Sequence, residues 1–292
     1  MKIKKTFLFL VALLGGMYVS SAQSLLEKLE AESSKDPLFT LATFKSTRIS
    51  IGHSVETRKK NVLEISAMTR YWNLPKETSN AFVADKMSAR FGLDYGISDR
   101  LTYGVGFSTL NSVLDNFLKY RLIRQHDNGP NKFSVTLFQS VTYADKKTYG
   151  ATNGVNFSDK LAFTTQLLLA RKFTRNFSLQ VSPTFIKRNT VSSSLDDKSQ
   201  FALGFGGRYK LGNHVSIVSE YYYVTNPLKS SKTYGAFSLG TNWELSDLLL
   251  QFKLTNSGHF VEDTFITQTK RNFSFRDGHL YFGFHATFFL QL

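Results

Sequence analysis

The chain of 292 residues contains no cysteine, 27 phenylalanines and 13 tyrosines, and 36 Lys and Arg against 22 Asp and Glu give a formal charge of +14. The lack of cysteine excludes disulfide frameworks and thiolate metal sites, and no segment reaches the roughly 20 consecutive apolar residues that a membrane-crossing helix needs. The basic residues are dispersed rather than gathered into a stripe, which argues against nucleic acid and leaves anionic lipid, lipopolysaccharide phosphate or a small anionic solute as partners.

At the N-terminus, Lys2, Lys4 and Lys5 precede an apolar run over 7–14, and Ser20, Ser21 and Ala22 offer small residues for cleavage before Gln23. This is the pattern of an export leader, residues 1–22, whose loss lowers the charge to +11. Ser24 and Glu27 form a capping box that opens a short helix to about Ala31, expected in the periplasm. Residues 23–60 are read as this helix followed by an extended segment. Within it, residues 44–56 alternate weakly through Ile49 and Ile51. They fit a first strand or a tether against a wall, the simpler reading, or a segment threaded into a lumen that carries His53, Ser54, Val55 and Glu56 inward.

From Val62 the chain repeats about ten residues of period-two alternation followed by a turn, the signature of a membrane β-barrel. Ala89, Phe91, Leu93, Tyr95 and Ile97 share one face, with Arg90, Gly92, Asp94 and Gly96 behind them, and the turn Ser98-Asp99 follows. Leu101, Tyr103, Val105 and Phe107 continue the pattern, which recurs down to Phe282, Phe284, Ala286, Phe288 and Leu290 at the C-terminus. Residues 61–292 are thus predicted to be all-β, a transmembrane antiparallel up-and-down barrel of about twelve strands, or fourteen if 44–56 adds a hairpin.

Tight connections at Ser98-Asp99, Gly212-Asn213 and Ser246-Asp247 alternate with long ones at 73–85, 144–159, 187–198 and 256–277. Short periplasmic turns and long outer loops have this arrangement. Aromatic girdles follow from the same threading: Tyr71, Phe107, Tyr143, Phe163, Phe201, Tyr223 and Phe282 near the outer rim, and Tyr95, Tyr120, Phe177, Tyr209 and Trp243 near the inner one. The expected address is a bacterial outer membrane, reached with the help of barrel-assembly machinery.

Several stretches resemble an outer-membrane β-barrel family, a domain of unknown function, from Bacteroidetes-type bacteria. They are Phe44-Lys45-Ser46-Thr47-Arg48 with Gly52-His53-Ser54-Val55-Glu56-Thr57, Ser238-Leu239-Gly240 with Trp243-Glu244, Gln251-Phe252 with Leu254-Thr255-Asn256-Ser257, Phe265-Ile266-Thr267, and Tyr281-Phe282-Gly283-Phe284. The turn Ser246-Asp247 lacks the glycine-histidine pair of the pattern, and 63–72 matches it poorly. The resemblance implies barrel architecture and outer-membrane location, and it brings no activity.

The polar face assigns Arg90, Asp94, Asp115, Lys119, Arg121, Arg208, Glu220, Lys253, His279 and His285 to the lumen. Surplus Arg and Lys there would favour a passing anion. The competing reading is mutual satisfaction, with Asp94 paired to Arg90 and Glu220 to Arg208, and the interleaving of acids with bases favours it. His279 and His285, about 20 Å apart along a strand, cannot share one metal ion. Gly204-Phe205-Gly206-Gly207 lies inside a strand, so it marks close packing rather than a phosphate loop. Neither a catalytic residue nor a cofactor is assigned. The function expected is a passive channel for a small, anionic solute; the alternatives are a non-conducting scaffold or adhesion protein working through its outer loops, and a barrel hydrolase.

Overall fold

The computed structural model describes residues 38–73, 84–144, 156–274 and 280–292. The leader and short helix expected over residues 1–31, and His279, lie outside the described residues. Twelve antiparallel strands form one closed sheet in which each strand pairs with its chain neighbours and β1 pairs with β12. They are β1 (Val62–Trp72), β2 (Lys86–Ser98), β3 (Leu101–Ser108), β4 (Val113–Ile123), β5 (Ser134–Tyr143), β6 (Leu161–Lys172), β7 (Phe177–Arg188), β8 (Ser199–Lys210), β9 (Val215–Val224), β10 (Phe237–Leu245), β11 (Leu248–Thr255) and β12 (Tyr281–Gln291). Closure leaves no unpaired edge, which is the condition for a sheet to stand in hydrocarbon. Residues 44–56 add no strand to it, so the fourteen-strand alternative does not hold.

Alternation fixes what each face meets. Along β2, Phe91, Leu93 and Ile97 are exposed on the outside while Arg90, Gly92 and Asp94 are buried on the inside. Aromatic side chains meet across neighbouring strands near both rims. Tyr71 lies opposite Phe282 at one end, and Tyr95 faces Tyr103 and Phe177 faces Tyr209 at the other. Two connections depart from the alternation of short and long: a 3-10 turn at Leu110–Ser112 closes β3 to β4 at the loop end, and residues 124–133 make a longer excursion at the turn end.

Among the described residues of the 256–277 connection, the expectation of an outer loop fails. Residues 256–269 are buried almost throughout, and they contain α1 (Glu262–Thr267), whose six residues are all buried. Phe265 and Ile266 pack with Ile186, Ala202 and Tyr222 from the inner wall, and Phe260 and Val261 with Met68, Val113 and Ala162. Arg188 anchors the helix: its Nη1 donates to Gln200 at 2.6 Å and its Nη2 to the Asp263 carbonyl at 2.5 Å and to Thr267 Oγ1.

Separately, Phe39 and His126 form an isolated bridge with ring centroids 4.9 Å apart, in a small unit whose described residues are 38–39 and 126–130.

At the loop end, the Asp196 carboxylate accepts from the backbone N–H groups of Lys229 and Ser230 at 2.8 and 2.9 Å and from Ser230 Oγ at 2.5 Å. Burial raises its pKa, but these bonds outweigh burial and hold the group below the ordinary carboxylate value. A carboxylate whose folded pKa is depressed adds stability above its unfolded pKa of about 3.9 and loses it only as pH falls through the folded value. Amide-exchange protection of Lys229 and Ser230 is therefore expected to persist to pH values below that unfolded pKa, and to be lost at every pH in Asp196→Ala, which has no acceptor there.

The outer face gives a second expectation. Leu93 is mid-strand and outward, so Leu93→Arg places a charge in hydrocarbon at a cost of about 2–4 kcal/mol. Urea titration in bilayers should show that loss, whereas Leu195→Arg, in the 189–198 connection, should leave the midpoint unchanged.

Candidate functional site: the occupied lumen

Residues 43–57 enter the barrel interior and reverse. Arg48 and His53 form an antiparallel bridge, the Ile49 N–H donates to the Gly52 carbonyl at 3.0 Å, and the Ser54 N–H donates to that of Thr47 at 2.8 Å. The result is a hairpin with its tip at Ser50 and Ile51. Its two legs are clasped by Glu56, whose Oε1 accepts from the Thr43 N–H at 2.9 Å and whose Oε2 lies 2.9 Å from Arg121. Every residue from 43 to 57 except Lys45 and Glu56 is buried.

Strand side chains hold the hairpin by its backbone. Glu220 Oε2 accepts three successive N–H groups, from Ser50 at 2.8 Å, Ile51 at 2.5 Å and Gly52 at 3.1 Å. Successive amides converging on one oxygen form an anion-binding nest, here filled by a carboxylate of the same chain. Lys119 Nζ does the converse. It donates to the carbonyls of Thr47, Ser54 and Glu56 at 3.1, 2.7 and 2.5 Å, using its three protons on three otherwise buried acceptors. Gln180 reads both sides of the returning leg, accepting from the Val55 N–H at 2.7 Å and donating to the His53 carbonyl at 2.8 Å. Lys253 donates to the Ser50 carbonyl and Gln251 to that of Ile49, the latter at 2.7 Å.

Carboxylates meet the hairpin side chains. Thr47 Oγ1 lies 3.0 Å from Glu64 Oε1 and 2.7 Å from Asp94 Oδ2, and Ser46 Oγ donates to Glu64 at 2.9 Å. Arg48 Nη1 donates to Glu262 of α1 at 3.1 Å, so the two inserted segments are tied to each other inside the barrel. His53 lies between Phe117 and Phe138, each 4.4 Å away between ring centroids, edge-on to the first and tilted against the second. Phe44, Ile49 and Val55 complete an apolar cluster with these phenylalanines, Leu168 and Val218.

The lumen candidates fall into two groups. Asp94, Lys119, Arg121, Glu220 and Lys253 meet residues 43–57 directly. Arg90, Arg208 and His285 are buried against other partners: Arg90 pairs with Asp115 at 2.5 Å, Arg208 with Glu244, and His285 Nε2 lies 2.9 Å from Thr287 Oγ1. The ion pairs are therefore Arg90–Asp115 and Arg208–Glu244, in place of the expected Arg90–Asp94 and Arg208–Glu220. Asp94 stands four residues from Arg90 along the same strand and is met by Thr47, and the backbone nest takes Glu220. No group of three His, Asp or Glu side chains that could hold a metal ion occurs among the described residues.

Glu64 and Gln251 were not singled out by the sequence, and for residues 44–56 the simpler reading as a first strand or tether gives way to the threaded alternative, because wall side chains satisfy their backbone. Two signals for them were present. Phe117, Phe138, Leu168 and Val218 are apolar on the face that points inward, where a water-filled lumen would be polar. Inward glycines are the second: a Cβ on Gly206 would lie 2.5 Å from Ile49 Cδ1, and one on Gly52 would lie 1.8 Å from the Tyr222 hydroxyl.

A closed membrane barrel whose lumen is filled by its own chain is the class that fold and site define. Residues 44–290 match the family described as "Membrane bound beta barrel domain (DUF5777)", and the chain belongs to it. Among solved structures it is similar to the KdgM porin (8% identity, 78% of this chain and 98% of that one, TM-score 0.47) and the NanC porin (7%, 78% and 99%, TM-score 0.47). It is also similar to the COG4313 outer membrane channel from Pseudomonas putida F1 (15%, 85% and 100%, TM-score 0.47). No curated protein matches the chain.

Removing the donor of three backbone bonds gives a test of the hairpin's anchorage. Lys119→Met leaves three buried carbonyls short of a partner and should cost about 3–5 kcal/mol, the range for breaking a buried charged interaction. Amide exchange over residues 46–56 should accelerate accordingly. In a chain lacking residues 43–57 the same substitution should cost far less, since its partners are gone.

Proposed function

We propose that this protein is an outer-membrane channel for a small solute, shut in the structure by its own residues 43–57 and opened when that hairpin withdraws toward the turn end. The observation that carries this reading is the way the hairpin is held. Both legs leave at the end where β1 begins, and the clasp at Glu56 joins them, so the segment can move as a unit without breaking a strand pair. The wall groups it would uncover include Glu64, Asp94, Lys119, Gln180, Glu220 and Lys253, all of which water can solvate. Here an apolar cluster covers one side and ionisable groups the rest.

An outer membrane is the setting in which such strands span a bilayer in bacteria, and the leader-like N-terminus supports export. Lining charge is close to balanced once the hairpin leaves, because Glu64, Glu220 and Asp94 are uncovered together with Lys119, Arg121 and Lys253. Selectivity for anions thus depends on which of these the solute meets first.

Planar-bilayer recording tests the reading. Refolded mature protein should be silent or open rarely, and a chain lacking residues 43–57, verified as folded by heat-dependent gel mobility, should give stable conductance steps. A folded, permanently silent deletion variant would instead describe a sealed barrel acting as a scaffold.

A further inference from the structure

Where the hairpin legs emerge, the turn end of the barrel contains a hollow of about 450 Å³, within the range of small-molecule sites. Its lining has two parts. Lys45, Arg58, Lys59, Arg121 and Arg124 bring five cations, against the two carboxylates Glu56 and Asp99. Leu41, Phe44, Val62 and Phe289 supply an apolar surface in the same hollow.

Several of these cations have partners within the chain. Arg121 is engaged by Glu56, Arg58 Nε lies 3.2 Å from Glu64, and Lys45 Nζ lies 3.3 Å from Glu244. Two features leave capacity for a guest. Arg58 lies over the Phe289 ring, its guanidinium carbon 5.2 Å from the centroid; its Nε is paired with Glu64, its Nη2 donates to the Lys45 carbonyl at the long distance of 3.5 Å, and among the described residues its Nη1 makes no hydrogen bond. A guanidinium has five N–H donors in a planar fork suited to a carboxylate, so the Nη1 side of this fork and the second Nη2 proton are unused. Arg121 spends one nitrogen, Nη2, on Glu56. The hollow therefore presents two guanidinium groups beside an aromatic ring and aliphatic walls.

The geometry points to a binding site for a small organic acid, an aryl or short-chain carboxylate whose anionic end lies between Arg58 and Arg121 and whose apolar body rests on Phe44, Val62 and Phe289. An inorganic anion would leave the apolar half of the hollow unused. A neutral ring compound would leave the guanidinium donors unmatched, and discrimination between ligands that do and do not satisfy buried polar groups is large. The site rests on its own contacts and stands whether or not the barrel conducts.

Isothermal titration of the folded mature protein, in detergent, with benzoate as the probe tests the assignment; benzyl alcohol and benzylamine serve as probes of equal shape. Saturable benzoate binding at least tenfold tighter than that of either analogue is expected. Arg58→Gln should weaken it about tenfold or more, and Arg121→Gln likewise, while Lys229→Gln at the loop end leaves it unchanged. Absence of saturable benzoate binding by folded protein would overturn the site. So would equal affinity for benzyl alcohol, or full affinity in the Arg58→Gln, Arg121→Gln double variant. Bilayer conductance is read separately, so loss of the acid site and loss of the channel reading are distinguishable.

Discussion

Closure of the sheet is the constraint from which the rest follows. A barrel in a bilayer must pair every strand edge, and pairing β1 with β12 encloses a space whose polar lining cannot be left dry and unsatisfied. A lumen of this size is resolved either with water or with protein. Here two segments of the chain enter, one ahead of β1 and one between β11 and β12, and meet at Arg48 and Glu262. The ionisable groups of the wall are then matched by backbone amides and carbonyls as much as by opposite charges.

That choice of partner has energetic consequences. Burying Glu220, Lys119 and Lys253 is costly for each group taken alone, and an opposite charge repays the cost only with good geometry. Backbone groups meet this need differently, because several can converge on one atom: three N–H groups on Glu220 Oε2, three carbonyls on Lys119 Nζ. Each contact satisfies a wall side chain and a hairpin main-chain group at once. The hairpin needs this, since a reversed, non-sheet segment inside a barrel would otherwise leave its own polar backbone unpaired. Anchorage and solvation are one set of bonds, so wall and hairpin are expected to loosen together.

The same arrangement explains the small inward residues. Gly106 makes room for the Arg90 guanidinium that reaches Asp115, and Gly206 for the side chain of Ile49. What looks in the sequence like a glycine-rich strand is space reserved for groups that arrive from elsewhere in the chain. The inward apolar positions of β4 to β9 have the same origin: Phe117 and Phe138 flank His53, and Ile186 and Tyr222 receive α1.

Strand alternation was legible because it is local. Period-two patterning assigns each residue of β2 or β12 to a face by its immediate neighbours, and the requirement for closure then fixes an even number of strands. The inward placement of Arg90, Glu220 and Lys253 follows from that periodicity alone. Their partners do not, because Glu220 and Ser50 are 170 residues apart and Gln251 and Ile49 are 202 apart. Residues 44–56 show only weak alternation, and nothing nearby distinguishes a tether from an insert. Residues 256–269 belong to a connection with the length of a surface loop, and what holds them inside is long-range: the apolar clusters around Phe265 and Phe260 and the bonds from Arg188 and Arg48. The sequence by itself determined the wall, whose order is set by repetition along the chain; the tertiary structure decided what fills it, because that depends on groups brought together only when the sheet closes.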